Sequence, residues 1–532
     1  MSFRRDSLLV PRSFSRRTAM KGMGAAALAT GIPFTRLSMA SAQDEEIPTG
    51  GTLRVGIIGE PPTVMDAQSS TAAVTGHIAR NVFQSLFAND STLTPQPMLL
   101  EDYTLSDDQL VYTFKLREGI TFHNGDPLTA DDVIASLNRW GLVSGRGRHA
   151  FGRMNSLDKI DDLTVEMSFN APTGIVITDL AAVSSMIMPA SIAEAHGEDT
   201  LTEFIGTGPF MFDEHAPDQY VRLKRFDDYV ARDEEPDGES GRRVAYVDAI
   251  EFIPVPDESV RANGVISGEY HFAEAIPPDY LDTLELDPGV NAWIVKPNYH
   301  YGFHLNKAKG LFSDVRARQA IQLSFSQSEA LKAGFGRDEL IRADASLAGE
   351  ETAWYSVAGA ENYDNPDPEQ ARALLAEAGY DGEPVRWLTT HEYPYYFRIG
   401  DYVKQHAEEV GLNIELVVSD WATVVQNRAD PDANEIFSTG HPQYTHPATA
   451  AFNDEKWPGF WVSEAKDEAV KGMVEAADAD ALTSAIDHYT EVFWEEMPYI
   501  KVGDNFAFRA SGTNVVGFAN QPELFFWNVG IN

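Results

Sequence analysis

The chain has 532 residues, 43% hydrophobic and 11% aromatic, enough apolar material to bury two or three cores rather than form a disordered or fibrous protein. It contains no cysteine, which excludes a disulfide scaffold, a thiolate metal site, a cysteine nucleophile and a lipid-modified cysteine anchor. With 41 Lys and Arg against 81 Asp and Glu, the net charge of −40 repels phosphate backbones and argues against nucleic acid as a partner.

The first 42 residues are basic, with Arg4, Arg5, Arg12, Arg16, Arg17, Lys21 and Arg36 facing only Asp6. Ser15-Arg16-Arg17-Thr18-Ala19-Met20-Lys21 precedes a mildly apolar run, Gly22 to Phe34, and then Ala40-Ser41-Ala42 before Gln43. This order resembles a twin-arginine export signal with an A-x-A cleavage site. The apolar run is shorter than the ~20 residues that span a bilayer, so a soluble mature chain in the periplasm, cleaved near Ala42, is expected. The acidic excess fits either a salt-tolerant surface or simple solubility.

After Gln43, Thr52 to Ile58 reads as a strand stopped by Gly59-Glu60-Pro61-Pro62, and a helix is expected near Val74 to Phe87. Leu110 to Leu116 alternates like a half-buried strand, and Gly119 to Gly125 ends in a turn. Thr129 caps a helix whose first turn carries Asp131 and Asp132. Gly145-Arg146-Gly147-Arg148-His149 lacks the setting of a dinucleotide fingerprint and reads as a mobile loop. Thr164 to Phe169 and Val221 to Lys224 read as strands, and acidic Arg232 to Gly241 as a solvated loop.

In the second half, Asp367-Pro368-Glu369-Gln370 opens a helix that ends at Gly379, followed by a strand at Val385 to Thr390. A helix from about Tyr395 to Val410 leads to a strand at Leu412 to Val418, a helical stretch Trp421 to Ala429 and a strand near Glu435 to Ser438. This β-α-β pattern predicts a mainly parallel sheet. Such sheets bind ligands in the crevice beyond the carboxyl ends of their strands. Ser419-Asp420-Trp421 and Thr439-Gly440-His441-Pro442-Gln443-Tyr444 stand at such ends.

Signatures of catalysis are missing: there is no H-E-x-x-H, G-x-S-x-G or Walker A loop. His300 with His304 and His441 with His446 raise a metal site, against the default of interior or surface histidines. Tyr301 and Phe303 share one strand face, and Trp421, Tyr444, Trp457 and Trp461 lie in or after strand-end loops. Aromatic walls of this kind bind organic ligands by area and stacking.

Three ordered blocks carry a family resemblance. Pro97 to Tyr103, Tyr112 to Gly125 and Leu128 to Val133 together closely resemble the signature of the family 5 extracellular solute-binding proteins. Gly206-Thr207-Gly208-Pro209-Phe210 with Leu223 to Tyr229, and Leu305-Asn306 with Phe312 to Ile321, are similar to two further family blocks. The resemblance implies an α/β fold of the periplasmic binding protein type II kind, two lobes with a hinge plus an extra domain inserted in the first lobe. It places lobe I at about 43–86, 205–297 and 506–532, the extra domain at 87–204 and lobe II at 298–505.

The implied function is capture of a peptide or other polar organic solute between closing lobes and delivery to an ABC permease, by a monomer that is not an enzyme and needs no cofactor or metal. By the same resemblance, Trp421 and Arg428 line the cleft, and Thr71 belongs to the first-lobe segment beside the ligand. The family block G-W-x-x-D-Y, whose Asp holds the peptide ammonium, is here Gly440-His441-Pro442-Gln443-Tyr444. Gln443 or Tyr444 replaces that Asp, which puts ordinary peptide specificity in doubt. Candidate ligand residues are therefore Trp421, Arg428, Gln443, Tyr444, His441, Tyr301, Phe303 and Thr71. The alternatives are an exported glycan-acting hydrolase and a metal or metallophore carrier.

Overall fold

The computed structural model describes residues 47–61, 64–391, 393–443, 445–476 and 479–532; the basic segment 1–42 and Tyr444 lie outside them. Strand β1 (Thr52–Ile57) buries Leu53 and Val55 on one face, as its alternation predicts, and helix α1 (Ala73–Val82) follows. A four-stranded antiparallel sheet then forms from β2 (Leu100–Leu105), β3 (Val111–Leu116), β4 (Met154–Asp161) and β5 (Thr164–Phe169), in the order β2-β3-β5-β4. Helix α2 (Ala130–Val143) starts at a complete capping box: the Thr129 side chain accepts from the Asp132 N–H, and the Asp132 carboxylate accepts from the Thr129 N–H at 2.9 Å.

Gly145–Phe151 forms a short helix α3 instead of the expected mobile loop. Gly147 explains it: a Cβ there would come within 2.1 Å of the Trp140 carbonyl oxygen, so α3 packs onto α2 at a distance only glycine allows. The acidic 232–241 segment is also not wholly solvated. Glu239 is half-buried against the Arg80 guanidinium at 3.1 Å, and desolvation pushes its carboxyl up.

The chain returns through β6 (Phe210–Ala216), β7 (Tyr220–Arg225), β8 (Ala249–Pro254) and β9 (Phe272–Ala273), and then runs along β10 (Val290–Leu305). Helices α4 (Val315–Leu323) and α5 (Pro368–Glu377) lead into β11 (Val385–Thr389), α6 (Pro394–Glu409), β12 (Ile414–Val418), α7 (Trp421–Asn427) and β13 (Ile436–Pro442). In α6 the buried Tyr396, Ile399, Val403 and Ala407 fall three or four apart, one face of a helix laid on the sheet. Helix α8 (Ala479–Glu496) and β14 (Tyr499–Gly512) complete the path.

The main sheet runs β12-β11-β13-β10-β14-β9-β1-β8-β7-β6. Two long strands, β10 and β14, stitch its halves together. One end of β14 pairs with β9 through Phe272↔Ser511, whereas the far half of β10 pairs with β13 from Leu305↔Ile436 to Tyr299↔Pro442. The β10–β14 ladder breaks register between Val295 and Tyr299, so the two halves join through an interrupted ladder, where a hinge costs fewest hydrogen bonds.

Each half has its own core: Val55, Phe210, Phe252, Phe272 and Trp527 in one, Phe303, Trp387, Phe493 and Tyr499 in the other. Phe114, Phe122, Trp140 and Phe169 fill a third beneath the four-stranded sheet. That third body touches the second half across the crevice. The Gly174 N–H donates to the Val474 carbonyl at 2.9 Å, and Ile175 and Leu93 join the second half's core.

Candidate functional site

Strands β11, β12 and β13 run parallel, so Thr389, Val418 and Pro442 end on one edge of the second half. Three loops leave that edge together. The Asp420 side chain caps α7 by accepting from the Thr423 N–H at 2.9 Å, which fixes Trp421 at the first helical position. Its ring stacks on Tyr396 at 5.5 Å and meets the edge of Tyr393 at 5.4 Å.

Tyr301 comes from β10 and packs against Tyr395 and Phe335, each at 5.0 Å. Gly440 makes room for it, since a Cβ there would sit 2.9 Å from the Tyr301 ring. The expected Tyr301 and Trp421 are thus joined by Tyr299, Tyr393, Tyr395 and Tyr396 into one aromatic wall. Tyr393, Tyr395 and Tyr396 are not among the candidates named from the sequence. They follow the end of β11 as Trp421 follows β12, so the same strand-end rule finds them.

Phe303 does not belong to this wall. It is 0% exposed, with its ring centroid 4.3 Å from that of Trp387, and is a core residue of the second half. Both residues lie on one face of β10, but at Phe303 that face is covered by Trp387 and Phe325. Thr71 is exposed two residues before α1, on the opposite half.

Arg428 lies one residue beyond α7, its guanidinium 5.4 Å from the Trp457 ring and 5.7 Å from Phe437. Burial lowers its pKa, and among the described residues its side chain has no ion pair or hydrogen bond. His441 is buried beside it. Its Nε2 lies 2.9 Å from Nε2 of His304, one ring donating and the other accepting, in a nest of Phe452, Trp457 and Tyr499. Among the described residues no group of three or more metal-ligating side chains is arranged to hold an ion.

Gln443 departs from the expected position on the crevice wall. It is 0% exposed, donates through Nε2 to the Tyr299 carbonyl at 3.3 Å, and leaves Oε1 without a hydrogen-bond partner among the described residues. Both its Oε1 and the Glu351 carboxylate crowd the space above Gly349. Glu351 is itself held by the Arg342 guanidinium, at 2.9 and 3.2 Å, so neither side chain is a free anion for a solute ammonium.

The histidines make the fold sensitive to acid. Burial first, then Arg428, pushes His441 down to about 3. Burial likewise lowers His300 and His304, and takes His123 and His446 down to about 4. Unfolded histidine titrates near 6.5, so this stability is present above about pH 6.5 and is lost as the pH falls toward 4, about 1.4 kcal/mol per pH unit for each ring. Asp179, raised by burial to about 6, acts in the opposite sense, as do Glu239 and Asp504, three groups against the five histidines. The thermal midpoint is expected to drop steadily from pH 7 to pH 5 in a melting series; a flat profile would contradict buried neutral rings.

The family model for bacterial extracellular solute-binding proteins, family 5 Middle, matches residues 94–454. The probable peptide ABC transporter periplasmic-binding protein y4tO of Sinorhizobium fredii is 29% identical over 97% of this chain and 99% of its own length. The glutathione-binding protein GsiB of Shigella dysenteriae serotype 1 is 26% identical over 88% and 92%. The crystal structure of the ABC transporter substrate-binding protein CtaP from Listeria monocytogenes superposes with a TM-score of 0.79 at 22% identity, covering 91% of this chain and 99% of that one. Among the described residues no helix is long and apolar enough to cross a membrane. The match spans well over half the sequence, and with it the α/β fold and the aromatic crevice have one reading: the chain belongs to the family 5 extracellular solute-binding proteins, carriers rather than enzymes.

Proposed function

We propose that this carrier captures a carboxylate-bearing peptide or peptide-like solute between its two halves and delivers it to an ABC permease. The observation that carries the reading is Arg428, a partly buried cation flanked by rings and lacking a carboxylate partner in a chain of net charge −40. A solute carboxylate would supply that partner, and the wall of Trp421, Tyr301, Tyr395 and Tyr396 would take its apolar or planar parts. The names of the relatives support the class, since one is called a peptide transporter component and another a glutathione-binding protein.

Gln443 and the adjoining Glu351 offer no free anion to an α-ammonium, so solutes whose amino end is modified or held elsewhere are favoured. Tyr444 and Thr71 remain proposed contacts, His441 a buried support for Arg428. The division into lobe I (43–86, 205–297, 506–532), extra domain (87–204) and lobe II (298–505) accompanies this reading. So do twin-arginine export with cleavage near Ala42 and a monomeric working form.

Native mass spectrometry of protein purified from its periplasm tests the reading. A single bound organic acid, released intact on denaturation, is expected; a neutral sugar, a metal chelate or a cleaved product would overturn it. Trp421→Ala is expected to weaken capture of that solute about fivefold to thirtyfold in calorimetry, because a stacked ring contributes roughly 1–2 kcal/mol in area and geometry. Unchanged affinity would remove Trp421 from the wall.

A further inference from the structure

We propose that the far end of the second lobe carries a separate anion pocket that takes a small organic carboxylate with an apolar body. The crevice lies at the carboxyl ends of β11, β12 and β13. Because β10 is antiparallel to β13, with Leu305 opposite Ile436 and Tyr299 opposite Pro442, the chain after Leu305 emerges at the other end. The seven residues of β13 put the two ends roughly 20 Å apart, at about 3.3 Å per residue.

A cavity of about 540 Å³ opens there, lined by Lys307, Arg318, Ser313, Phe460, Trp461 and Val462. The Lys307 ammonium donates to the Leu305 carbonyl at 2.8 Å and the Pro498 carbonyl at 2.9 Å, which leaves one of its three N–H groups. Arg318 spends Nε on the Glu496 carbonyl and Nη1 on those of Phe312 and Ser313, and Nη2 makes no hydrogen bond among the described residues.

Neither cation has a carboxylate at ion-pair distance among the described residues. Burial lowers both; the like charge of Arg318 lowers Lys307 further, whereas the Glu496 and Asp314 carboxylates, beyond ion-pair distance, act on Arg318 in the opposite sense. In a chain where acids outnumber bases about two to one, Lys307 stands out as a cation on which, among the described residues, no acid acts, beside Arg318, whose acids lie beyond ion-pair distance. Two glutamates do line the cavity. The Glu496 carboxylate is already held by the Trp461 indole N–H and the Ser463 hydroxyl, and Glu495 is exposed to water.

The remaining wall is apolar. Val462 is 72% exposed at the mouth of the cavity, next to the half-buried Phe460. A carboxylate would reach the free N–H of Lys307 and Nη2 of Arg318, offsetting their desolvation, while its apolar body lies on Phe460 and Val462.

Benzoate is the probe, titrated into the mature chain by calorimetry with saturation-transfer NMR, and benzamide is its uncharged counterpart. Lys307 and Arg318 hold backbone carbonyls, so their loss could disturb folding; the exposed Val462 is changed instead. Benzoate is expected to bind saturably and benzamide not. Val462→Glu should weaken benzoate at least fivefold, Val462→Lys should retain it, and Trp421→Ala should leave it unchanged. The proposal is overturned by absent saturable binding, equal binding of benzamide, indifference to Val462→Glu, or loss of benzoate in Trp421→Ala, which would place the probe in the crevice.

Discussion

Arg139→Met is expected to destabilise the protein by about 3–5 kcal/mol, the cost of leaving a buried charge without its partner. The Arg139 guanidinium grips both oxygens of Asp66, at 3.1 and 2.8 Å, and also donates to Gln68 Oε1 at 2.8 Å and the Asp199 carbonyl at 2.7 Å. Both side chains are essentially inaccessible. The pair pins the loop after β1 to helix α2, fastening the four-stranded body to the first half. Burial alone would raise the Asp66 carboxyl, but the hydrogen bonds from Arg139 and the Leu201 N–H carry it below the usual range.

A depressed carboxylate contributes stability above its unfolded value near 3.8, and that contribution is lost as the pH falls through the folded value. Removing Arg139 reverses the shift, so the gap between wild type and variant should narrow on acidification. Denaturant titrations at pH 7 and pH 5 check both statements. The double variant Asp66→Asn, Arg139→Met should be less damaged than the two single losses added together, because the orphaned charge is gone. An Arg139→Met protein as stable as wild type would show that the pair contributes nothing net.

Arg428→Met is expected to lower affinity for the captured solute about tenfold to a hundredfold, equivalent to a charged hydrogen-bonding partner of roughly 1.5–3 kcal/mol. The fold should survive, because the guanidinium holds no carbonyl and no carboxylate among the described residues. Arg428→Lys should recover only part of the loss, since an ammonium cannot offer a carboxylate two parallel N–H bonds. Equal calorimetric affinities for wild type and Arg428→Met would remove the carboxylate from the proposed solute.

The β-α-β run of the second half was legible because its caps and glycine stops are local: Asp367, Gly379 and Gly411 mark helix ends wherever the helices later pack. The crevice was legible for the same reason, as strand ends can be read from hydrophobic periodicity. What escaped depended on partners distant in sequence. Gly147 looked like a loop residue until Trp140 lay against it, and Glu239 looked solvated until Arg80 reached it from 159 residues away. Phe303 shares a strand face with Tyr301, but which part of that face meets solvent depends on how far Trp387 and Phe325 cover it. Gln443 stands out in the sequence as a departure from the family block, but its burial beside Glu351 depends on Gly349, a partner distant in sequence.

Capture as proposed requires the two halves to close over an unaltered solute about the interrupted β10–β14 ladder. Because the chain has no cysteine, spin labels can be placed at two chosen sites alone, such as Ile160→Cys in the four-stranded body and Val357→Cys in the second half, both exposed in the native protein. Pulsed dipolar spectroscopy should show a long, broad distance distribution in solute-free protein that collapses to a short, narrow one when the co-purified solute is returned. The same distribution with and without it would contradict the account.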